Sequence, residues 1–151
     1  MDAKVSIILH LLRLSSLINR MGLRLIDGTG LSSVQQWQLL GIIRRNEGIT
    51  LGKLSEAALV TKQNMTGLVE RMQRGGWIDT WSDPHDKRIT RVRITEKGKE
   101  ALEILHPRSM QSNEETFHAF QNEELERLDE MLERLSRTLR IQLDGEEQNQ
   151  E

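Results

Sequence analysis

The chain contains no cysteine. That excludes a disulfide scaffold, a thiolate metal site and any sensor that works by oxidising a thiol. No apolar run approaches the roughly 20 residues of a membrane span. The apolar stretch from Met1 to Leu12 lacks a cleavage site and continues into an amphipathic pattern, so no signal peptide is read and a cytoplasmic location is expected. Catalytic patterns are missing as well. There is no G-x-S-x-G, no phosphate-cradling glycine loop and no Cys–His pair, and His10, His85, His106 and His118 are scattered. Neither an enzyme nor a bound cofactor is expected. The 151 residues that remain suffice for one domain, or one domain with an appended interaction element, that buries a core without metal or disulfide.

A formal net charge of −2 conceals a strong asymmetry. Residues 1–60 carry 7 cations and 4 anions, and residues 61–99 carry 9 and 5, whereas residues 100–151 carry 5 and 14. Phosphate attraction acts over a Debye length of about 8 Å at physiological salt, so a basic front can meet a polyanion while an acidic rear faces away.

The informative stretch runs from Thr50 to Val92. Thr50 is a good N-cap, and Leu51, Leu54 and Ala58 give one apolar helix face. Leu59 and Val60 break the period. Thr61 then caps a second helix with Met65, Leu68, Val69 and Met72 on one side, stopped by Gly75-Gly76. Two helices joined so tightly match a helix-turn-helix, whose second helix can enter a DNA major groove. Opposite its apolar stripe stand Thr61, Lys62, Gln63, Asn64, Thr66 and Gly67, with Glu70, Arg71 and Arg74 further along. Gln and Asn can pair with adenine in bidentate fashion, Lys can serve guanine or phosphate, and a Thr methyl can touch a thymine methyl. A bland alternative is a merely solvated polar face.

The segment after Gly76 favours the DNA-reading helix. Trp77–Trp81 and Ile89–Ile94 alternate like strands, and Ser82 to Arg88 supplies turn residues and then cations. This pattern describes a β-wing. A guanidinium at its tip can reach into a narrow minor groove, where negative potential is enhanced. Arg88 is the candidate, with Lys87 and Arg91 on flanking phosphates and His85 beside them. Asp86 is better suited to pairing with Arg88 or Arg91 and holding the wing in shape.

The flanking segments are helical. Lys4 to about Arg24 is apolar on more than one side, as a helix buried between partners should be. After the loop Asp27–Gly30, Ser32-x-x-Gln35 reads as a capping box for a helix to about Asn46 that buries Trp37, Leu40, Gly41 and either Ile43 or the stem of Arg44. Ile49 is expected to form a short strand pairing with the wing. From Thr95 a long helix is predicted to run to about Ala119, with a kink near Pro107. Asn122 is expected to cap a last helix carrying Leu125, Leu128, Met131, Leu132, Leu135 and Leu139 at near-heptad spacing. The predicted fold is mainly α (α+β). A dimerisation helix spans 1–30 and a winged helix-turn-helix 31–95, with the helix-turn-helix at about 50–75 and the wing at about 77–94. Further dimerisation helices span 96–144, and a flexible tail 145–151. Two-fold symmetry would set two recognition helices about 34 Å apart, on a pseudo-palindromic duplex.

Leu31-Ser32, Gln36-Trp37, Leu54-Ser55-Glu56, Met65 to Met72, Gly76-Trp77-Ile78, Asp83-Pro84-His85-Asp86-Lys87-Arg88 and Ile94-Thr95-Glu96-Lys97-Gly98 together resemble the multiple antibiotic resistance regulator (MarR) family. The resemblance covers nearly the whole chain, and its wing signature is the specific part. Leu59 stands where the family often has Gly, and Trp77 where an aliphatic residue is usual. The resemblance implies a homodimeric winged-helix transcription factor on double-stranded DNA, usually a repressor released by a small effector. It also implies an effector site where the winged domain meets the dimerisation helices, here His10, Arg13, Leu17, Trp37, Gln38 and Leu105. An apolar pocket with Arg13 pairing a carboxylate would suit an aromatic acid. Some relatives sense zinc, and Glu103 with His106, or Glu114 or Glu115 with His118, offer two ligands each. A site wants three or four, so exposed helix pairs are the simpler account and no metal is assigned. A metal-responsive regulator and a winged-helix protein-interaction module are the alternatives. The second would want an acidic or apolar recognition face, which this chain lacks.

Overall fold

The computed structural model describes residues 1–148. It contains, in order, α1 (Ala3–Ile26), α2 (Val34–Arg45), β1 (Ile49–Thr50), α3 (Leu51–Ala58), α4 (Lys62–Arg74), β2 (Ile78–Ser82), β3 (Thr90–Ile94), α5 (Glu96–Phe117) and α6 (Asn122–Gln148). The sheet is antiparallel in the order β1-β3-β2, with Ile49 opposite Val92, Ile78 opposite Ile94 and Thr80 opposite Val92. The chain divides into two compact units, Met1–Met110 and the remainder from Gln111, with the boundary inside α5.

In α3 and α4 the expected caps and periods are in place. The Thr50 side chain accepts from the Lys53 N–H, and Thr61 accepts from the Asn64 N–H. Met65, Leu68, Val69 and Met72 all face the core. Helix α4 ends in a Schellman arrangement: Gly76, at φ +78°, donates to the Gln73 carbonyl and Trp77 donates to that of Met72. Leu39, Leu40, Ile43, Leu54, Met65, Met72, Ile78, Val92 and Leu105 are fully buried, so α2, α3, α4, the sheet and the start of α5 share one core.

Trp77 fits because glycines stand around it. A Cβ on Gly75 would lie 2.7 Å from its Nε1, and one on Gly30 would lie 3.4 Å from its Cη2. Its carbonyl accepts from the Thr95 hydroxyl and amide, and the Lys97 ammonium sits 4.2 Å from its ring while donating to the Gly75 carbonyl. The indole therefore ties the end of α4 to the start of α5.

Helix α2 departs from expectation by one residue. Ser33, not Ser32, is the cap: its hydroxyl accepts from the Gln36 N–H, while the Gln36 side chain accepts from the Ser32 N–H. Gln36 and Leu39 are consequently buried, Trp37 and Gly41 only half-buried, and Arg44 exposed. Helix α1 is buried only at Gly22 and Ile26. Leu11 and Leu25 are half-buried, and its other large apolar residues, among them Leu12 at 62% and Ile18 at 65%, are open.

In the second unit α6 begins at Asn122, which is helical rather than the cap. Glu124 reaches back to the Gln121 N–H instead. Phe117 and Phe120 meet edge to face, with ring centroids 6.2 Å apart. Leu125 and Leu135 are half-buried, and Leu128, Met131, Leu132 and Leu139 exposed. The helix passes through Gly145 to Gln148, further than expected, and residues 149–151 of the predicted tail lie outside the described residues. Pro107 lies within α5 without ending it. No helix of the described residues is long and apolar enough to cross a membrane.

Candidate nucleic-acid interface

Helix α4 turns its apolar stripe into the core, and the 3.6-residue period then fixes what faces outward. Thr61, Lys62, Gln63, Asn64, Thr66, Arg71 and Arg74 are exposed, and Gly67 is half-buried. Two of these are partly committed. The Thr61 hydroxyl caps the helix, and the Thr66 hydroxyl donates back to the Lys62 carbonyl at 3.1 Å. The side-chain amides of Gln63 and Asn64 make no hydrogen bond to other described residues. Both can therefore present a full donor–acceptor pair to a base edge.

A concavity of about 500 Å³ lies on this face, lined by Gln35, Leu59, Val60, Thr61, Gln63, Asn64, Gly67, Leu68 and Arg71. The sequence pattern gives Gln35 only a capping role. With Ser33 and Gln36 in that task, Gln35 is released to the surface. Leu59 closes the turn between α3 and α4 in the left-handed conformation, φ +55° and ψ +42°. It is the one non-glycine with positive φ among the described residues.

The wing is built on two carboxylates. Asp83 is buried and accepts from the amides of His85 and Asp86 at 2.8 and 3.1 Å, an Asx-type turn that folds the tip. Its other oxygen takes the Arg91 Nε, while Arg91 Nη1 donates to the Gly48 carbonyl at 2.8 Å. The Arg91 hydrogen bond, and then the His85 amide, hold the Asp83 carboxyl below the usual carboxylate range. Asp86 accepts from the amide, Nε and Nη2 of Arg88, each at 3.0 Å, and these bonds lower its pKa likewise. The same contact raises that of Arg88, whose side chain nevertheless stays 90% exposed. Asp86 thus aims the guanidinium of Arg88 without covering it.

Arg91 fastens the wing, its guanidinium shared between the Asp83 carboxylate and the Gly48 carbonyl. Asp86 pairs with Arg88, one of the two partners expected for it. Lys87 and His85 are exposed at the tip, and only the His85 amide is engaged. Asp83 does more than the turn role that the sequence assigns to it. The signal for its anchoring part is chemical: an aspartate in a turn, with free amides and arginines after it, is the type that folds such a tip.

The six residues expected to form an effector pocket are not gathered around the concavity. Leu105 is sealed in the core at 1% exposure, Trp37 is half-buried, and His10, Arg13, Leu17 and Gln38 are exposed. Among the described residues no three His, Asp or Glu side chains are grouped as a metal site would require, and the His118 ring is bonded to the Glu115 carbonyl.

A short-turned helix pair with an antiparallel wing packed beside its second helix defines a winged helix-turn-helix protein. A model for the MarR family matches residues 29–89. The transcriptional activatory protein BadR of Rhodopseudomonas palustris is 32% identical over 111 residues, covering 69% of this chain and 63% of that protein. The HTH-type transcriptional repressor IacR of Pseudomonas putida is 31% identical over 100 residues, covering 66% and 60%. The chain thus spans about three-fifths of the length of these relatives. A mutant of MarR from E. coli, solved in complex with operator DNA, superposes with a TM-score of 0.70 at 25% identity, over 89% of this chain and 99% of that one. A MarR protein from Peptoclostridium difficile gives 0.76 at 27% identity, over 92% and 89%. The chain belongs to the MarR family.

Proposed function

We propose that this chain is a sequence-specific DNA-binding transcriptional regulator. It binds a pseudo-palindromic operator as a homodimer and acts as a repressor. The observation that carries the reading is the pairing of two presentations on one unit. Helix α4 offers unbonded Gln63 and Asn64 beside Lys62 and Arg71, and the wing offers Arg88, held by Asp86 yet open to solvent. The helix suits a major groove and the guanidinium the narrower groove beside it.

The dimer is supported by uncovered apolar surface. Helix α1 exposes Val5, Ile8, Leu12 and Ile18, and α6 exposes Leu128, Met131, Leu132 and Leu139. Soluble monomers seldom leave such a row of large apolar residues open along a helix. The two named relatives act with opposite sign, one an activator and one a repressor. Repression is proposed because a dimer seated over a promoter excludes polymerase without needing a further contact. His10, Arg13 and Leu17 share one face of α1, and a small aromatic acid there, with Arg13 on its carboxylate, is the proposed releasing signal.

Selection of a duplex from a random pool, and then gel-shift across a salt series, tests the reading. Binding should weaken steeply with salt, because phosphate contacts by Lys62, Arg71, Lys87 and Arg88 release counterions. Arg88→Ala should weaken it further, and replacing Gln63 or Asn64 should relax sequence preference by about 1–3 kcal/mol per bidentate contact. Equal binding of all duplexes by the wild-type protein would end the proposal.

A further inference from the structure

Leu59 combines two features that seldom coincide. It occupies the left-handed region at φ +55°, which a Cβ disfavours and which glycine or asparagine would take without difficulty. It also leaves its side chain 63% exposed, so packing does not account for a leucine there. That side chain lies on the rim of the same concavity as Gln35, Gln63, Asn64 and Arg71. A strained backbone carrying an exposed apolar group, on the face that offers base-reading amides, is best explained by what the group touches when the face is occupied.

We infer that Leu59 is a specificity-determining residue that reads a thymine through its C5 methyl. The inference rests on the proposed DNA binding. The chemistry is apolar contact in the major groove, where the thymine C5 methyl is the only methyl group a base pair displays. Gln63 and Asn64 supply hydrogen bonds and no apolar surface. Thr66 supplies a methyl one turn along α4. Leu59 places a larger apolar group at the opposite, N-terminal end of the reading face.

The test uses the duplex that the full wild-type chain selects from a random pool, with each thymine replaced in turn by deoxyuridine, which removes only the methyl. Wild-type protein should lose about four-fold in affinity at one thymine per half-site, the worth of one buried methyl-sized group. Leu59→Met should keep that discrimination. Leu59→Gly and Leu59→Asn should bind thymine and uracil duplexes alike, while melting at or above the wild-type temperature because both residues accept the left-handed conformation. Undiminished thymine preference in Leu59→Gly overturns the inference, and so does a preference lost equally in Leu59→Met. Failure of the wild-type chain to enrich any sequence is a different result, and it overturns the DNA-binding reading itself.

Discussion

Gly98 and Gly67 both lie inside helices, where alanine is ordinarily the better residue by about 0.5–1 kcal/mol. Their surroundings predict opposite outcomes. A Cβ on Gly98 would lie 2.6 Å from the Trp77 carbonyl oxygen and 2.6 Å from Ile94 Cγ1. That carbonyl cannot retreat freely, because the Thr95 amide donates to it at 3.1 Å. Ile94 is itself buried, opposite Ile78 in the sheet. Overpacking of this kind costs about 1–3 kcal/mol, so Gly98→Ala should lose roughly 1–2 kcal/mol after the helix gain is subtracted. A Cβ on Gly67 would meet only Arg71 Nη1, at 3.5 Å, the far end of a flexible side chain. Gly67→Ala should therefore keep nearly the whole helix gain. For a chain of this size about 2–4 °C accompanies each kcal/mol, so the first variant should melt about 2–8 °C lower and the second about 1–4 °C higher. Circular dichroism at one fixed protomer concentration measures both, since association would otherwise shift the midpoint. A Gly98→Ala protein that melted at or above the wild type would refute the claim that the junction of Trp77, Thr95 and α5 is rigid.

Acid should loosen the wing through Asp83. Its carboxyl is held below the ordinary range by Arg91, so the stabilisation it gives is fully present above the unfolded value of about 3.9 and fades as pH falls through the lower folded value. Asp83→Asn should be less stable than wild type by a constant amount above about pH 5, and the two urea midpoints should converge below about pH 4. Parallel curves through that range would remove Asp83 as the titrating group. Asp86→Ala should weaken selected-duplex binding by freeing Arg88, with little change in melting, because both groups lie at an exposed tip. Equal affinity for wild type and variant would show that Arg88 needs no aiming. Leu12→Glu with Ile18→Glu should yield a monomer in sedimentation while leaving the helical signal intact, since both side chains are open in the isolated chain. A dimer that persisted would place the interface elsewhere.

Helices α3 and α4 are legible in the sequence because every local signal agrees: the Thr50 and Thr61 caps, the apolar period and the glycine stop. The start of helix α2 is displaced by one residue for an equally local reason. Ser32-Ser33-Val34-Gln35-Gln36 offers two serine–glutamine pairs at the same spacing, and only the burial of Gln36 decides between them. The apolar pattern of α1 reads as a helix buried between partners, and a single chain shows just the uncovered half of that statement.

The wing shows where sequence alone stops. Asp83, Asp86, Lys87, Arg88 and Arg91 fall within nine positions, and charge and spacing let any anion pair with any cation. The structure separates them by what else each can reach. Arg91 stands opposite Thr50 and Trp81 in the sheet, which brings its guanidinium to the Gly48 carbonyl, 43 positions away. A backbone carbonyl has no residue type, so no sequence pattern announces such a partner. With Arg91 taken by Asp83 and Gly48, Asp86 is left to Arg88, two residues on, and the short span of that pair keeps the guanidinium pointing outward. Of the two paired arginines, the more open is therefore the one whose acid is nearest in sequence, and the more enclosed is the one whose second acceptor lies in another element.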